Sequence, residues 1–225
     1  MSELIDTTEM YLKVVFELEE QRQPALRARL SERLEQAMPS VSQTVSRMER
    51  DGLLTLDDQR VIRLTETGRS LAVAVMRKHR VAERFLFDVL GLEWVELHEE
   101  ACRWEHVLGD HAEAKLISLL KNLDSDPYGN PIPGLELIGL SKGRPTVAGQ
   151  PLSDFASNAD GLTLVAIGEG IQAEANLLNG FAKAGLMPGA KAKLTVENDG
   201  FRLTSDGGSV LLDSHLATQL FVAPA

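Results

Sequence analysis

The sequence is poor in cysteine, in long apolar runs and in positive charge. Cys102 is the single cysteine among 225 residues, so an intramolecular disulfide is excluded and the thiol is left for packing, chemistry or metal binding. No apolar run approaches the roughly 18 residues of a transmembrane helix, so no membrane partner is expected. The first ten residues lack the basic and apolar segments of a signal peptide. These features predict a cytoplasmic protein.

The scarcity of positive charge is uneven along the chain. The 23 basic and 33 acidic residues give a net charge of −10, which argues against non-specific nucleic-acid binding by the whole chain. Residues 24–73 nevertheless carry eight arginines against seven acids, whereas residues 74–140 carry seven basic and twelve acidic residues. The first segment can therefore meet DNA phosphates, and the second is where a cation-attracting site is expected.

Hydrophobic periodicity predicts three helices and a β-hairpin near the N-terminus. Residues 3–20 form the first helix, and Pro24 and Pro39 open the second and third. A hairpin over residues 53–64 follows, around an Asp-Asp-Gln turn. Three helices followed by a two-stranded wing is the order of a winged helix-turn-helix, which is a DNA-binding fold.

The polar face of the third helix carries side chains suited to DNA. Glutamine can pair with adenine and arginine with guanine or phosphate, although a solvated face is the plainer interpretation of such a stripe. Arginines on the second helix and on the wing favour the DNA interpretation. The candidate DNA contacts are Arg27, Arg29, Pro39, Ser40, Ser42, Gln43, Arg47, Arg50 and Arg60.

The segment after the hairpin is predicted to be helical, over about 65–90, 95–108 and 112–123. Its apolar bulk exceeds what a small DNA-binding module needs. Either an internal core or a dimer interface explains the excess. A protein that binds paired DNA half-sites needs two copies of its DNA-binding module, so the DNA-binding fold favours the homodimer.

The rest of the chain is predicted to be mostly β. A turn-rich, extended stretch leads into a polar linker, and five strands separated by one helix then form a small β-barrel-like domain. The fold class is therefore mainly α with a small β part. The expected domains are a winged helix-turn-helix over 1–73, a helical dimerisation domain over 74–140, a linker over 141–160 and the β domain over 161–225.

Potential metal ligands recur at helical spacing on two of the predicted helices. One set would lie within an arc of about 100° on a single helix, and the other is a pair four residues apart. The six donors are His79, Glu83, His98, Cys102, Glu105 and His106. Met10 is available from the first helix. The mixed sulfur, nitrogen and oxygen set suits Fe(II), Co(II), Ni(II) or Zn(II) better than Mg(II) or Ca(II).

A metallohydrolase and a thiol-based redox regulator are the alternative functions for the Cys102/His106 cluster. A hydrolase needs an open coordination position and a general base, and no nucleophile elbow or glycine-rich phosphate loop is present. A redox switch needs a reactive thiolate at Cys102, which the nearby Glu105 discourages unless metal is bound. No enzymatic activity is therefore expected.

Five short motifs resemble the diphtheria toxin repressor family, also called iron-dependent regulators. They are the runs 39–45, 64–68, 75–84, 100–106 and 129–134. Within them, Cys102-Arg103-Trp104-Glu105-His106 is highly specific for the family. The resemblance is strong over residues 1–140 and weaker towards the C-terminus.

The resemblance implies two metal sites per subunit, each holding Fe(II) that Co(II), Ni(II), Mn(II) or Zn(II) can replace. The primary site would use Met10, Cys102, Glu105 and His106. The ancillary site would use His79, Glu83, His98, Glu169 and Gln172. Arg80 and Asn130 would contact an anion beside the ancillary site.

The same resemblance implies an SH3-like C-terminal domain and the biological role. That role is an iron(II)-activated, homodimeric transcriptional repressor, with two dimers on a palindromic operator, that controls iron-uptake and iron-homeostasis genes. The chain departs from the family at Ala37 and Met38, which affects the expected operator sequence. It also departs at Asp126, where relatives commonly have serine beside the anion, so that this carboxylate would either replace the anion or repel it.

Overall fold

The structure is a computed structural model that describes residues 2–140 and 146–225, with side chains of the first helix described from Thr7 onward. The chain forms two compact units, residues 1–78 and 79–225. Among the described residues, no helix is long and apolar enough to cross a membrane.

The first unit contains three helices and a hairpin, followed by the start of a fourth helix. The elements are α1 (Ser2–Glu20), α2 (Arg27–Arg33), α3 (Met38–Arg50), β1 (Leu54–Leu56), β2 (Ile62–Leu64) and α4 (Glu66–Phe85). This order confirms the predicted winged helix-turn-helix. Helix α2 begins three residues later than Pro24, because the Ala25 carbonyl accepts a hydrogen bond from the Ile62 amide (2.8 Å). That bond keeps the chain before α2 extended beside the wing.

The core of the first unit lies between α1 and the helix-turn-helix. The predicted stripe of Val41, Val45 and Met48 on α3 is fully buried, as are Leu12 on α1 and Leu30 on α2. Burying an aliphatic side chain of this size contributes about 1.5–3 kcal/mol relative to exposure. The opposite face of α3 is therefore the one left for solvent or DNA.

The second unit begins within α4 and continues through two shorter helices, α5 (Leu97–Trp104) and α6 (Asp110–Leu119). The end of α4 widens into a π-helical turn over Leu86–Leu90, and Gly91 ends it in the left-handed conformation. Helix α5 ends at Trp104, not near residue 108 as expected. The Val107 and Leu108 amides both donate to the Trp104 carbonyl, which tightens the chain into a turn.

A six-stranded antiparallel sheet makes up the C-terminal part of the second unit, in the order β3-β8-β4-β5-β6-β7. Its strands are β3 (Gln150–Pro151), β4 (Ala159–Ile167), β5 (Lys191–Glu197), β6 (Gly200–Ser205), β7 (Gly208–Leu212) and β8 (Leu220–Pro224). Three short helices accompany it: α7 (Glu169–Gln172), α8 (Ala175–Lys183) and α9 (Ser214–Ala217). All five predicted strands are present, and the predicted helix over 172–186 is divided between α7 and α8. The small antiparallel C-terminal domain is confirmed.

Strand β3 lies inside the stretch 141–160 that the sequence predicts to be a linker. Pro151 pairs with Phe221 of β8, and Leu152 is fully buried, so this part of the stretch belongs to the sheet. Residues 141–145 of the predicted linker lie outside the described residues. A two-residue strand is too short for apolar alternation to reveal.

One hydrophobic core is shared by the helices and the sheet of the second unit. It joins Leu97 and Ala101 on α5 and Tyr128 to Phe181 on α8 and Leu164 on β4. The sequence predicts two domains here, separated by a linker. Hydrophobic periodicity identifies an apolar face on a helix or strand, but it does not show which distant element covers that face. In the structure the sheet and its helices cover that face.

The segment around Tyr128 lies directly against β4. The Ile167 amide donates to the Tyr128 carbonyl (3.0 Å), and the Tyr128 hydroxyl donates to the Trp94 carbonyl (2.7 Å). Gly129 has a φ of +90°, and a Cβ built on it would lie 2.0 Å from the Val165 carbonyl oxygen. Only glycine permits both the left-handed backbone and this close approach.

We expect Gly129→Ala to lower the free energy of unfolding of the second unit by about 3 kcal/mol or more, since it combines backbone strain with a clash. Gly139→Ala is the matched control, because Gly139 has a similar φ of +82° but nothing within 4 Å of the added Cβ. It should cost about 1–2 kcal/mol, the strain alone. Urea unfolding measures both, and equal losses would show that the close approach to β4 is unimportant.

Candidate metal centre and nucleic-acid interface

Helix α4 places His79 and Glu83 one turn apart in the interior of the second unit. Both side chains are fully buried, and His79 Nε2 lies 2.8 Å from Glu83 Oε1. The other imidazole nitrogen, His79 Nδ1, lies 2.5 Å from Glu105 Oε2. Glu105 Oε1 in turn lies 3.2 Å from His106 Nε2. The structure thus brings donors from α4 together with donors just after α5.

His98 on α5 connects the remaining donors to this group. Its Nδ1 lies 3.4 Å from Glu83 Oε1, and its Nε2 lies 3.6 Å from the Cys102 sulfur. The His79 and His98 rings meet edge to face, with centroids 5.0 Å apart. Donor atoms of His79, His98 and Cys102 all lie within 4.8 Å of one another.

All six donors predicted from helical spacing therefore form one connected network, which we call the donor cluster: His79, Glu83, His98, Cys102, Glu105 and His106. Glu105 and His106 lie in the turn after α5, not on the helix itself. The cluster does not separate into the two implied sites, since His79 contacts Glu105 and His98 contacts Cys102. The division into primary and ancillary ligands stays a prediction.

Glu83 is the member of the cluster whose surroundings fit a cation best. Its carboxylate is fully buried, and neither oxygen accepts a well-aligned hydrogen bond from the described residues, although both histidines lie at ion-pair distance. Burial works to raise the pKa of Glu83, but the facing imidazoles of His79 and His98 outweigh it and hold the pKa low. A buried ionised carboxylate needs positive charge beside it, which a divalent metal supplies.

His98 is held in its protonated form when only protein surrounds it. Burial works to lower its pKa, but the hydrogen bond with Cys102 and the contact with Glu83 outweigh burial and raise the pKa to about 9. Only the neutral imidazole can bind a metal. A metal that binds His98 near neutral pH must therefore displace a proton.

A second group of buried charges lies next to the donor cluster, around the fully buried Arg80. Its Nε and Nη2 both donate to Glu169 Oε1 (3.1 and 2.5 Å), and its Nη1 donates to the Pro131 carbonyl (2.7 Å). The charge of Arg80 overcomes the effect of burial and lowers the pKa of Glu169. Gln172, one turn after Glu169, donates to the Ile167 carbonyl (2.6 Å). Its buried Oε1 has no hydrogen-bond partner among the described residues.

The carboxylate of Asp126 lies between the two side chains that the resemblance implies as anion contacts. Asp126 Oδ2 accepts from Asn130 Nδ2 (2.9 Å) and lies 3.6 Å from Arg80 Nε. Its Oδ1 accepts from the backbone amides of Tyr128 and Asn130. Burial, with a smaller contribution from the negative charge of Glu83, raises the pKa of Asp126 to about 8. The protein thus provides a carboxylate at the point where Arg80 and Asn130 meet.

All nine candidate DNA contacts lie in the first unit, and five of them are exposed. Pro39, Ser40, Gln43 and Arg50 are exposed on α3, and Arg60 is exposed at the wing turn with a φ of +64°. The other four, Arg27, Arg29, Ser42 and Arg47, are half-buried. Met10 on α1 is 38% exposed and belongs to this unit, so its role as a metal ligand stays a prediction.

Several of the predicted DNA contacts are only partly accessible. Ser42 and Arg47 are half-buried, and the Nη2 of Arg47 is buried, so Arg47 lies at the edge of the predicted polar stripe. Arg27 and Arg29 on α2 are half-buried, the Nε of Arg27 is buried, and Arg29 Nη1 donates to the Pro24 carbonyl (2.7 Å). Sequence reasoning does not single out Tyr11, which reaches from α1 into the helix-turn-helix, because it reads as one more core residue.

A winged helix-turn-helix, with a buried cluster of histidine, cysteine and glutamate in the same chain, defines a metal-responsive DNA-binding regulator. Two family profiles match: "Iron dependent repressor, N-terminal DNA binding domain" over residues 3–62, and "Iron dependent repressor, metal binding and dimerisation domain" over residues 65–134. The chain belongs to the iron-dependent repressor family, and it is a metal-activated transcriptional repressor, not an enzyme.

Individual relatives agree over nearly the whole chain. The diphtheria toxin repressor of Corynebacterium diphtheriae is 44% identical and covers 96% of each chain. The iron-dependent repressor IdeR of Mycobacterium tuberculosis is 47% identical over 94% of this chain and 90% of its own. A solved structure described as a manganese-dependent transcriptional repressor in complex with manganese has a TM-score of 0.76 at 29% identity, covering 97% and 100% of the two chains.

We expect Arg80→Met to lower the free energy of unfolding of the second unit by about 3–5 kcal/mol, because it leaves the carboxylates of Asp126 and Glu169 buried without their guanidinium. Arg103→Met is the matched control, since Arg103 pairs with Glu99 and Glu100 on the surface of α5, with its side chain 62% exposed. It should leave stability nearly unchanged. Similar losses for the two variants, in urea unfolding of the metal-free protein, would contradict the importance of the buried pairs.

Proposed function

We propose that this chain is an iron(II)-activated homodimeric repressor of the cytoplasm, which binds palindromic operator DNA as two dimers and controls iron-uptake and iron-homeostasis genes. The observation that carries the proposal is the fully buried Glu83, with oxygens that accept no well-aligned hydrogen bond from the described residues, inside a cluster of five further metal donors. The 44–47% identity to repressors named for iron and for diphtheria toxin supports iron. Manganese, as in the more distant solved structure, and Co(II), Ni(II) or Zn(II) would replace it.

The proposed ligands form two sites, giving two Fe(II) per subunit. The primary site comprises Met10, Cys102, Glu105 and His106, and the ancillary site comprises His79, Glu83, His98, Glu169 and Gln172. The connected donor cluster and the buried Oε1 of Gln172 support these residues as donors in the second unit, while their division into two sites rests on the family resemblance. For Met10 the proposal rests on the family resemblance alone. Sulfur in the primary site favours Fe(II) and its neighbours over Mg(II), which prefers oxygen.

For the ancillary site we propose that Asp126 takes the place of the anion. Its carboxylate faces both Arg80 and Asn130 and already accepts hydrogen bonds at each oxygen. A free anion there would have to compete with a buried carboxyl group that already occupies these hydrogen-bond donors.

The homodimer is supported by apolar side chains that stay exposed within the residues matched to the dimerisation profile. They are Leu71, Phe87, Val89, Leu90, Val107 and Leu119. A second copy of the chain would cover such a surface, and a two-fold dimer presents two recognition helices to the two halves of a palindrome.

Activation follows from linkage between the metal and DNA. A bound divalent ion would supply positive charge beside Glu83 in place of protonated imidazoles, and the proposed ligands would hold it there. Ligands from both units would make metal binding favour one arrangement of the DNA-reading helices. A ligand that prefers the DNA-competent state must be bound more tightly in the presence of DNA, by the same factor by which it tightens DNA binding.

The direct test is binding of a palindromic duplex, followed anaerobically by fluorescence anisotropy during titration with Fe(II), Mn(II), Co(II) and Zn(II). We expect each active metal to tighten DNA binding, and Cys102→Ala and Glu105→Ala to weaken metal activation by at least about 10–100-fold, since even loss of a residue that only supports a ligand costs that much. Glu99→Ala is the matched control for Glu105→Ala, because Glu99 is an exposed carboxylate on α5 paired only at the surface with Arg103.

Two results would contradict the proposal. DNA binding that does not depend on any metal would return the donor cluster to a purely structural role. Metal-independent binding that is lost when Cys102 is oxidised would support the thiol-based regulator instead.

Metal affinity should also depend on pH. The raised pKa of His98, about 9, means that protonated His98 competes with metal throughout the neutral range. Affinity should therefore rise with pH, by about tenfold per pH unit for each proton displaced below that pKa, and fall as pH is lowered. Calorimetry in buffers of different ionisation enthalpy counts the protons released. His98→Gln should release one fewer, and an affinity that is constant between pH 6.5 and 8.5 would exclude this competition.

A further inference from the structure

Tyr11 lies on α1 immediately after Met10, and the two side chains differ sharply in exposure. Met10 is 38% exposed, whereas Tyr11 is fully buried in the core of the first unit. Consecutive helical residues point about 100° apart, so α1 presents one face outward and the other into the helix-turn-helix. The hydroxyl of a tyrosine buried in such a core needs a hydrogen-bond partner, whereas an apolar side chain there needs only packing contacts.

The Tyr11 hydroxyl contacts both the turn and the recognition helix of the helix-turn-helix. It donates to Gln36 Oε1 at 2.6 Å, and the Thr44 side chain lies near enough to the same hydroxyl to lower its pKa against the effect of burial. Gln36 lies in the turn between α2 and α3, and Thr44 lies in the middle of α3. One atom of α1 therefore touches the turn and the recognition helix at the same time.

The turn that receives this bond is itself fixed. The Gln36 amide donates to the Ser31 carbonyl (3.0 Å), and the Ser31 hydroxyl donates to the Gln36 carbonyl (2.6 Å). Glu35, just before it, adopts a left-handed φ of +51°. A turn held in this way transmits a displacement of α1 to the start of α3 instead of absorbing it.

We infer that Tyr11 is a positioning residue, whose hydroxyl fixes the orientation of α3 relative to α1 and so conveys metal binding to the DNA-reading surface. This inference rests on the proposed function, because it requires that the metal act on α1. The Tyr11 hydroxyl touches neither metal nor DNA in this account. Its effect is on the coupling between them.

The test is Tyr11→Phe, which keeps the ring in the core and removes only the hydroxyl. The readout is the coupling factor, defined as the affinity for Co(II) with operator DNA present divided by the affinity without DNA. By reciprocity it equals the factor by which Co(II) tightens DNA binding. We expect Tyr11→Phe to lower the coupling factor about tenfold, the scale of one buried hydrogen bond whose acceptor is left unsatisfied. Affinity for Co(II) alone should change by less than about twofold, since no proposed ligand is altered.

Gln36→Leu and the double variant Tyr11→Phe/Gln36→Leu complete a double-mutant cycle. If the hydroxyl acts through Gln36, the double variant loses little more coupling than either single one. Thr44→Val, which removes the other partner with little change of volume, should lower the coupling factor in the same direction. Gln36→Leu and Thr44→Val each remove a partner of the hydroxyl while Tyr11 is kept, so neither result depends on how well Tyr11→Phe folds.

The outcomes separate the inference from the proposed function. A coupling factor that is unchanged in Tyr11→Phe, with a lower free energy of unfolding, would overturn the inference and leave Tyr11 as a core residue. A coupling factor near one in the unmodified protein would instead overturn the metal activation on which the inference rests. A loss in Tyr11→Phe that is fully additive with the loss in Gln36→Leu would contradict the bond to Gln36 as the route.

Discussion

The second unit depends on how its buried carboxylates are compensated. Glu83, Asp126 and Glu169 lie in an interior where an isolated negative charge is costly, and the described residues place one buried guanidinium, that of Arg80, among them. Arg80 lies beside Glu169 and Asp126, so the charge of Glu83 is compensated by the imidazoles of His79 and His98. Imidazoles compensate a carboxylate only while protonated. The positive charge beside Glu83 must therefore come either from protonated imidazoles or from a divalent cation.

This compensation also explains why the donors come from so few elements. His79, Arg80 and Glu83 occupy little more than one turn of α4, so a single helix supplies both the guanidinium and two metal donors. The partners of that turn come from α5, from the segment around Asp126 and from α7. Because each partner contacts a charged group of α4, the sheet and the helices of this unit pack around charges as well as around apolar side chains.

Local periodicity predicts what is local and misses what is set by distant packing. The buried stripe Val41-Val45-Met48 and the donors of α4 and α5 follow from helical spacing and are found as predicted. The early end of α5 depends on the Trp104 carbonyl, which accepts hydrogen bonds from two amides. Strand β3 forms because Pro151 pairs with Phe221 of β8, which is far away in the sequence. Tyr11 has the same hydrophobic signature as its neighbours, and its hydroxyl bond to Gln36 spans 25 residues, so no local pattern reveals it.

The donor cluster also shows why helical spacing alone does not divide the ligands between two sites. In the structure the donors pair with one another: His79 with Glu83 and Glu105, and His98 with Cys102. A metal must exchange these pairs for its own bonds, and it must displace the protons that hold them together. Binding strength is then the difference between the metal-bound and the metal-free state, not the sum of new contacts. Since affinity rises from Mn(II) through Fe(II) to later metals for any such set, the cellular supply of each metal, more than the donors themselves, decides which one fills the cluster.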